Sequence, residues 1–235
     1  MGLKLRVSGF KFLSAVAALM LFSGCAESVE VCMTSPVPMV EGAEGCLSKD
    51  ELGALKTRQV MDANGPAQLA LAHPTDFAQT KTVETCVDYE ALAKEGWSAL
   101  TSADMRREAA FARACSALSA MAEAEKPRKT HFKGGTCARS DVVAIPVADL
   151  PAFGEGDGAS GPVTILADGA GAWAVETATS RISIQELAHA DFDGDGVGDI
   201  LCFVYVRAKG GSAAHGFAAL LSKSAEGGAV RLTQL

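Results

Sequence analysis

The stretch Ile182-Ser-Ile-Gln-Glu-Leu-Ala-His-Ala-Asp-Phe-Asp-Gly-Asp-Gly-Val-Gly-Asp-Ile-Leu-Cys-Phe-Val-Tyr-Val206 carries the strongest structural signal in the chain. Its two ends, 182–187 and 200–206, are rich in β-branched and aromatic residues and have the length of β-strands. Its middle, 191–199, alternates aspartate with glycine, which favours tight turns. We therefore expect two strands joined by an acidic loop.

Short runs of similar composition surround this pair of strands. They predict further strands at 142–147, 163–166, 172–176, 217–221 and 230–232, with a turn at 169–171. Because most of these runs are separated by short connections, antiparallel pairing is favoured over a parallel arrangement. The C-terminal region, 134–235, is therefore expected to be an antiparallel sheet.

Helix start signals occupy the preceding region. A hydroxyl followed three residues later by a carboxylate, as in a capping motif, occurs at Ser48, Thr85 and Thr101. These signals predict a helix over 49–61, a second helix from 86 that ends at Gly96, and a third whose apolar face includes Cys115. Cys86 and Cys115 then face each other across a helical hairpin. The predicted fold class is α+β, with an N-terminal helical hairpin region packed on a small C-terminal antiparallel sheet and stapled by disulfides.

The first residues have the pattern of an export signal. Lys4, Arg6 and Lys11 precede an apolar run at 12–22, which is followed by the small residues 23–24 and by Cys25. The run is about half of the ~20 residues that a membrane-spanning helix needs. The end of this leader, Leu21-Phe22-Ser23-Gly24-Cys25, resembles the lipobox of bacterial lipoproteins. An ordinary signal peptide followed by an incidental cysteine is the alternative.

The lipobox resemblance implies that cleavage before Cys25 is accompanied by attachment of a diacylglyceryl group to its sulfur. Two or three acyl chains anchor a protein to a membrane far more firmly than one. Ala26 follows the cysteine where aspartate favours retention at the inner membrane, so the outer membrane facing the periplasm is expected. The predicted divisions are a lipoprotein signal peptide over 1–24, a tether over 25–47, a helical region over 48–133 and a β-rich region over 134–235.

The chain contains seven cysteines. Once Cys25 is assigned to lipid, an even number is left, which in an exported chain indicates disulfides. No Cys-x-x-Cys pair is present, so neither a redox motif nor a zinc knuckle is indicated. The preferred pairing is sequential: Cys32–Cys46, Cys86–Cys115 and Cys137–Cys202. Other pairings, and free buried thiols, are the alternatives.

The acidic loop is the one motif that indicates a ligand. Asp191, Asp193, Asp195 and Asp199 repel one another when no cation is bound, and the glycines between them allow the backbone to bring them together. A hard divalent cation relieves this repulsion. Calcium takes six to eight oxygens, and the carbonyl of Val197 is expected to add one to those of the carboxylates. A metal-free acidic turn is the alternative.

The spacing Asp-x-Asp-x-Asp-Gly-x-x-Asp, followed by the apolar run from Ile200, resembles the calcium loop of FG-GAP and VCBS repeats. The resemblance implies a structural calcium ion, but a complete propeller is excluded because the loop occurs once. An EF-hand is disfavoured because its twelfth position, normally a bidentate glutamate, is Cys202. More loosely, Cys86, Gly96-Trp97 and Cys115 in their helical setting resemble a group of bacterial exported proteins with no established activity.

Composition and motifs exclude several functions. The formal net charge of −7 and the lack of a basic patch argue against binding of nucleic acid. Asp191-Phe-Asp193 resembles the paired aspartates of haloacid-dehalogenase phosphatases, but the other motifs of that fold are missing. The four histidines are dispersed, and neither a nucleophile elbow nor a zinc-protease motif is present. We expect a non-catalytic binding or structural protein with an envelope partner. An enzyme or ligand carrier with a site that motifs do not reveal is the alternative.

Overall fold

The N-terminal part of the protein contains short strands that pair locally. The structure, a computed structural model, describes residues 29–151, 153, 162–167 and 171–235. Three antiparallel pairs lie in its first part: β1 (Glu30–Cys32) with β2 (Cys46–Ser48), β3 (Met61–Asp62) with β4 (Gly65–Pro66), and β5 (Leu69–Ala72) with β6 (Thr80–Val83).

The described residues form four α-helices: α1 (Lys49–Lys56), α2 (Cys86–Lys94), α3 (Ser102–Glu123) and α4 (Arg139–Val143). The first three begin at the hydroxyl residues that the sequence indicated, and each hydroxyl accepts a hydrogen bond from the amide three residues further on. Gly96 follows the end of α2 with φ +85°, which is a usual glycine conformation after a helix.

The C-terminal part forms one seven-stranded sheet. The two-residue strand β7 (Lys129–Thr130) is followed along the chain by six longer strands: β8 (Thr164–Ala167), β9 (Ala172–Glu176), β10 (Ser180–Ala190), β11 (Val197–Ala208), β12 (Ala214–Lys223) and β13 (Val230–Gln234). The six pair antiparallel in the order β13-β12-β11-β10-β9-β8, and β7 pairs parallel with the start of β11.

Both faces of this sheet are covered. Along β11, Leu201 and Phe203 belong to an apolar cluster that includes Phe111 of α3. The residues that alternate with these two, Ile200, Cys202 and Val204, belong to a second cluster that includes Val142 of α4. Side chains on a strand alternate between faces, so β11 contributes to two cores at once.

The predicted fold class is wrong. The described chain is mostly β, and the sheet is its central layer rather than a small platform for a helical hairpin. Instead of a hairpin of matched helices, the N-terminal part has the 9-residue α2, the 22-residue α3 and three short strand pairs. The continuous burial of β11 from Val197 to Val204 explains the difference, because a strand with two apolar faces must be covered on both.

Two element predictions also differ. The run at 142–147, expected to be a strand, begins within α4, because Asp141 accepts a hydrogen bond from the amide of Ala138 at 2.9 Å and closes the first turn. The helix expected over 49–61 ends at Lys56, because the amide of Val60 bonds to the carbonyl of Glu84 at 2.7 Å and draws the chain into β-structure. Most of the predicted turn at 169–171 lies outside the described residues.

Two of the three predicted disulfides are confirmed, Cys32–Cys46 and Cys86–Cys115. Cys137 and Cys202 are free and buried, so the third predicted pair is not formed. Burial raises the pKa of both thiols, that of Cys137 to about 12. Because the thiolate is the reactive form in disulfide exchange, this environment disfavours their oxidation.

The segment predicted as a tether is folded from Val29 onward. Strands β1 and β2 are linked by the Cys32–Cys46 disulfide, and Val31, Val37 and Val40 are buried in the same cluster as α3. Cys25 lies outside the described residues. Among the helices that the structure describes, none is long and apolar enough to cross a bilayer.

Candidate metal site

The acidic loop connects β10 to β11, the central strands of the sheet, as the sequence predicted. Gly194 and Gly196 adopt φ +79° and +84°, a left-handed conformation that side chains other than glycine rarely accept. The backbone therefore turns tightly at these two positions. This turn brings three of the four loop carboxylates together.

Asp191 organises the loop from inside. Its side chain is buried, and its two oxygens accept hydrogen bonds from the amides of Gly194 at 2.8 Å and Gly196 at 2.7 Å. Its own backbone amide and carbonyl pair with those of Glu125, which follows α3. The first aspartate is therefore fixed by the fold before any ligand binds.

Asp193 and Asp195 are exposed at the tip of the loop. One oxygen of Asp193 accepts from the amide of Asp195 at 3.1 Å, and one oxygen of Asp195 accepts from the amide of Val197 at 2.6 Å. Carboxylate oxygens of Asp191, Asp193 and Asp195 lie within 4.8 Å of one another. No described basic side chain forms an ion pair with any of the three. Three carboxylates that form no ion pair with a described side chain and have oxygens to spare are a donor set that fits a hard divalent cation.

Of the other two predicted ligands, Val197 was expected to supply only its backbone carbonyl, and Asp199 does not join the cluster. Val197 is the first residue of β11 and pairs with Lys129 of β7. Because valine has no side-chain oxygen, only its backbone carbonyl is a candidate ligand. Asp199 is buried further along β11, where its carboxylate accepts from the amide of Phe192 at 3.2 Å and from the hydroxyl of Ser222. Burial raises the pKa of Asp199 to about 6, and the charges of Asp193 and Asp195 add to the effect.

The raised pKa of Asp199 predicts a specific dependence of stability on pH. Because its folded-state pKa of about 6 exceeds the ordinary 3.8, the folded protein holds this proton more tightly than the unfolded chain. The stabilisation is therefore complete below about pH 4 and is lost as the pH rises through about 6. In chelator, Asp199→Asn should remove a decline of about 2–3 kcal/mol in the free energy of unfolding between these limits.

This pH effect is measured by urea unfolding of both proteins from pH 4 to pH 7. Asparagine retains an oxygen that can accept from Phe192 and Ser222, so the comparison isolates the ionisation. The difference between the two curves should grow in favour of the variant as the pH rises. Parallel curves for the two proteins would show that Asp199 titrates normally.

Several residues around the loop could not be identified as neighbours from the sequence. The side chain of Arg128 lies against Gly196, where an added Cβ would come within 3.3 Å of its Nε. Its backbone amide bonds to the carbonyl of Gly196 at 3.0 Å. Glu125 and Arg128 follow α3 and Ser222 lies in β12, so they come from two other parts of the chain, and local spacing carries no signal for such contacts.

His189, two residues before the loop, contacts a buried carboxylate instead of the metal cluster. Its Nε2 lies 3.2 Å from Glu186, whose other oxygen accepts from the amide of Cys137 at 3.0 Å. The register of β10 shifts between Glu186 and Ala188, as at a β-bulge. His189 is thus bound within the strand, as a structural histidine is.

Comparison with known proteins finds no homologue. No protein family model, curated protein or solved structure matches the chain.

Proposed function

We propose that this protein is a lipid-anchored component of the bacterial cell envelope, a non-catalytic binding or structural module that one calcium ion stabilises. The cluster of Asp191, Asp193 and Asp195 carries the proposal, because it is fixed at the junction of the two central strands and forms no ion pair with a described basic side chain. A bound calcium ion supplies the positive charge that holds these carboxylates together. The bound ion therefore stiffens the loop between β10 and β11, the two strands whose side chains contribute to both apolar clusters.

The anchor in this proposal is the acylated Cys25. The leader before it is basic and then apolar, and it ends in the lipobox-like Ser23-Gly24-Cys25. Two disulfides in the folded part support an oxidising destination, since such bonds persist in exported proteins. Ala26 favours the outer membrane facing the periplasm. The proposed partner is another envelope protein, and nucleic acid is not a proposed ligand.

The calcium part of the proposal is tested by thermal unfolding of the mature protein in detergent. At calcium concentrations about 100-fold above the dissociation constant, binding adds about 2.7 kcal/mol. For a chain of this size, we expect the melting temperature to rise by about 5–10 °C relative to chelator. Asp193→Asn combined with Asp195→Asn should abolish the rise, because asparagine retains the turn but removes the charge.

Asp62→Asn is the matched control for this experiment. Asp62 also accepts an amide hydrogen bond two residues ahead, from Asn64 at 2.7 Å, in a turn outside the acidic loop. The control should respond to calcium as the wild-type protein does. Equal melting temperatures of the wild-type protein in calcium and chelator would contradict the proposed site.

A further inference from the structure

A second polar site lies across the sheet from α3, where a cleft of about 620 Å³ opens beside the end of β12. Its walls come from the segment after β7, the start of α4 and the turn between β12 and β13. The lining includes the side chains of Thr130, His131, Phe132, Ser140, Asp141 and Lys223. This volume is within the range of small-molecule sites.

A buried ion pair forms part of the lining. Lys223 and Asp141 are 8% and 4% exposed, and Nζ of Lys223 lies 2.7 Å from Oδ1 of Asp141. The second carboxylate oxygen accepts from the amide of Ala138 at 2.9 Å. Both carboxylate oxygens of Asp141 therefore have a hydrogen-bond partner within the protein. Asp141 also balances the charge of Lys223, and lysine side chains are rarely buried unless they are paired.

The hydrogen-bond donors of Lys223, in contrast, do not all have partners among the described residues. An ammonium group has three donors, and among the described residues only Asp141 accepts from it. The nearest aromatic ring, that of Phe132, has its centroid 5.8 Å away and offers only its π-face. Buried donors without acceptors are costly, so two N–H groups at the cleft call for an acceptor.

His131 supplies an independent observation in the same wall. Its Nε2 is buried and has no hydrogen-bond partner among the described residues. The cleft also carries the hydroxyls of Thr130 and Ser140, and Lys133 lies in its lining. The carboxylate of Glu226 lies in the lining as well, so the donors that face a ligand are those of Lys223, Lys133 and the two hydroxyls.

We propose that this cleft binds a small ligand through an anionic oxygen group, a carboxylate or a phosphate, that accepts hydrogen bonds from Lys223. Asp141 orients Lys223, the hydroxyls of Thr130 and Ser140 are further donors, and the ring of Phe132 packs against the rest of the ligand. The proposal goes beyond the calcium-stabilised module proposed above and depends neither on the acidic loop nor on the anchor.

The test is a titration of the mature protein in detergent micelles, followed by the amide NMR signals of Gly134 and Gly227, which line the cleft. Acetate is titrated with and without calcium, and inorganic phosphate in chelator, so that a failure of the calcium site does not affect the result. We expect saturable shifts with millimolar half-saturation for at least one anion. The anion that binds more tightly identifies the preferred group.

The decisive variant combines Lys223→Met with Asp141→Asn, which removes both charges together and retains an acceptor for Ala138. We expect binding to weaken about tenfold or more, since a hydrogen bond to a charged group is lost. Lys209→Met is the matched control, because it removes a lysine whose Nζ lies 3.4 Å from Glu176 and which is absent from the cleft lining. It should bind as the wild-type protein does.

A measurement on the wild-type protein covers the case in which the double variant does not fold. The side-chain ¹⁵N signal of Lys223 should shift with the same half-saturation as the two glycine amides. The proposal is overturned when neither anion produces a saturable shift, when the folded double variant binds as tightly as the wild-type protein, or when the Lys223 signal does not move during saturation. The ion pair would then serve only to join α4 to β12.

Discussion

Replacing Cys25 by serine is expected to move the protein from the membrane fraction to the soluble fraction of the periplasm. Serine cannot form the thioether to a diacylglyceryl group, and the acyl chains, at about 0.8 kcal/mol per buried CH₂, are the proposed source of membrane affinity. Membrane association should therefore be lost almost completely. The measurement is fractionation of cells labelled with radioactive palmitate.

Cys137→Ala is the matched control for this experiment, because it removes one free cysteine of the folded part. The control protein should carry the label and sediment with membranes. A Cys25→Ser protein that still carries palmitate, or that stays with membranes after a salt wash, would show that the anchor lies elsewhere.

Replacing Cys86 and Cys115 together by alanine is expected to lower the free energy of unfolding by about 3–4 kcal/mol. Their disulfide closes a loop with a sequence separation of 29 residues, and the loss of chain entropy in the unfolded state sets this magnitude. For a domain with a total stability of about 5–15 kcal/mol, the loss is a large fraction. Urea unfolding monitored by circular dichroism measures it.

The free pair Cys137 and Cys202 provides the control, because changing both to alanine also removes two buried sulfur atoms but no cross-link. The Cys86 and Cys115 variant should be the less stable of the two. Equal losses in the two double variants would mean that packing, and not the cross-link, is what these cysteines contribute.

Elements with strong local signals were predicted correctly. The strands around 182–187 and 200–206 and the starts of the three capped helices follow from residue pattern and capping chemistry over a few residues. The Cys86–Cys115 pair followed from the inward face of α3 and the start of α2. These features need only neighbours in sequence.

The layer arrangement needed contacts that no local pattern encodes. Whether the apolar run of β11 is buried on one face or on both depends on where α3 and α4 pack. The pair β5 and β6 lies in a stretch without clear periodicity and was missed. The run that begins at Val142 has strand-like composition, but the capping bond of Asp141 favours the start of a helix there, and the restriction on the residue before Pro146 keeps that helix short.

The acidic loop also combines features that local sequence predicts with one that depends on a distant contact. Its position between strands, and the grouping of Asp191, Asp193 and Asp195, follow from the spacing of aspartate and glycine. The separation of Asp199 from that cluster does not. It arises because β12 pairs with β11 and brings Ser222 to the carboxylate, a contact between residues far apart in sequence.

A crystal structure of the protein grown in calcium would show whether the acidic loop binds the ion. We expect one ion bound by carboxylate oxygens of Asp191, Asp193 and Asp195 at about 2.3–2.6 Å, with further oxygens from the backbone or water. Well-ordered density for the loop with no ion between these carboxylates, at millimolar calcium, would contradict it.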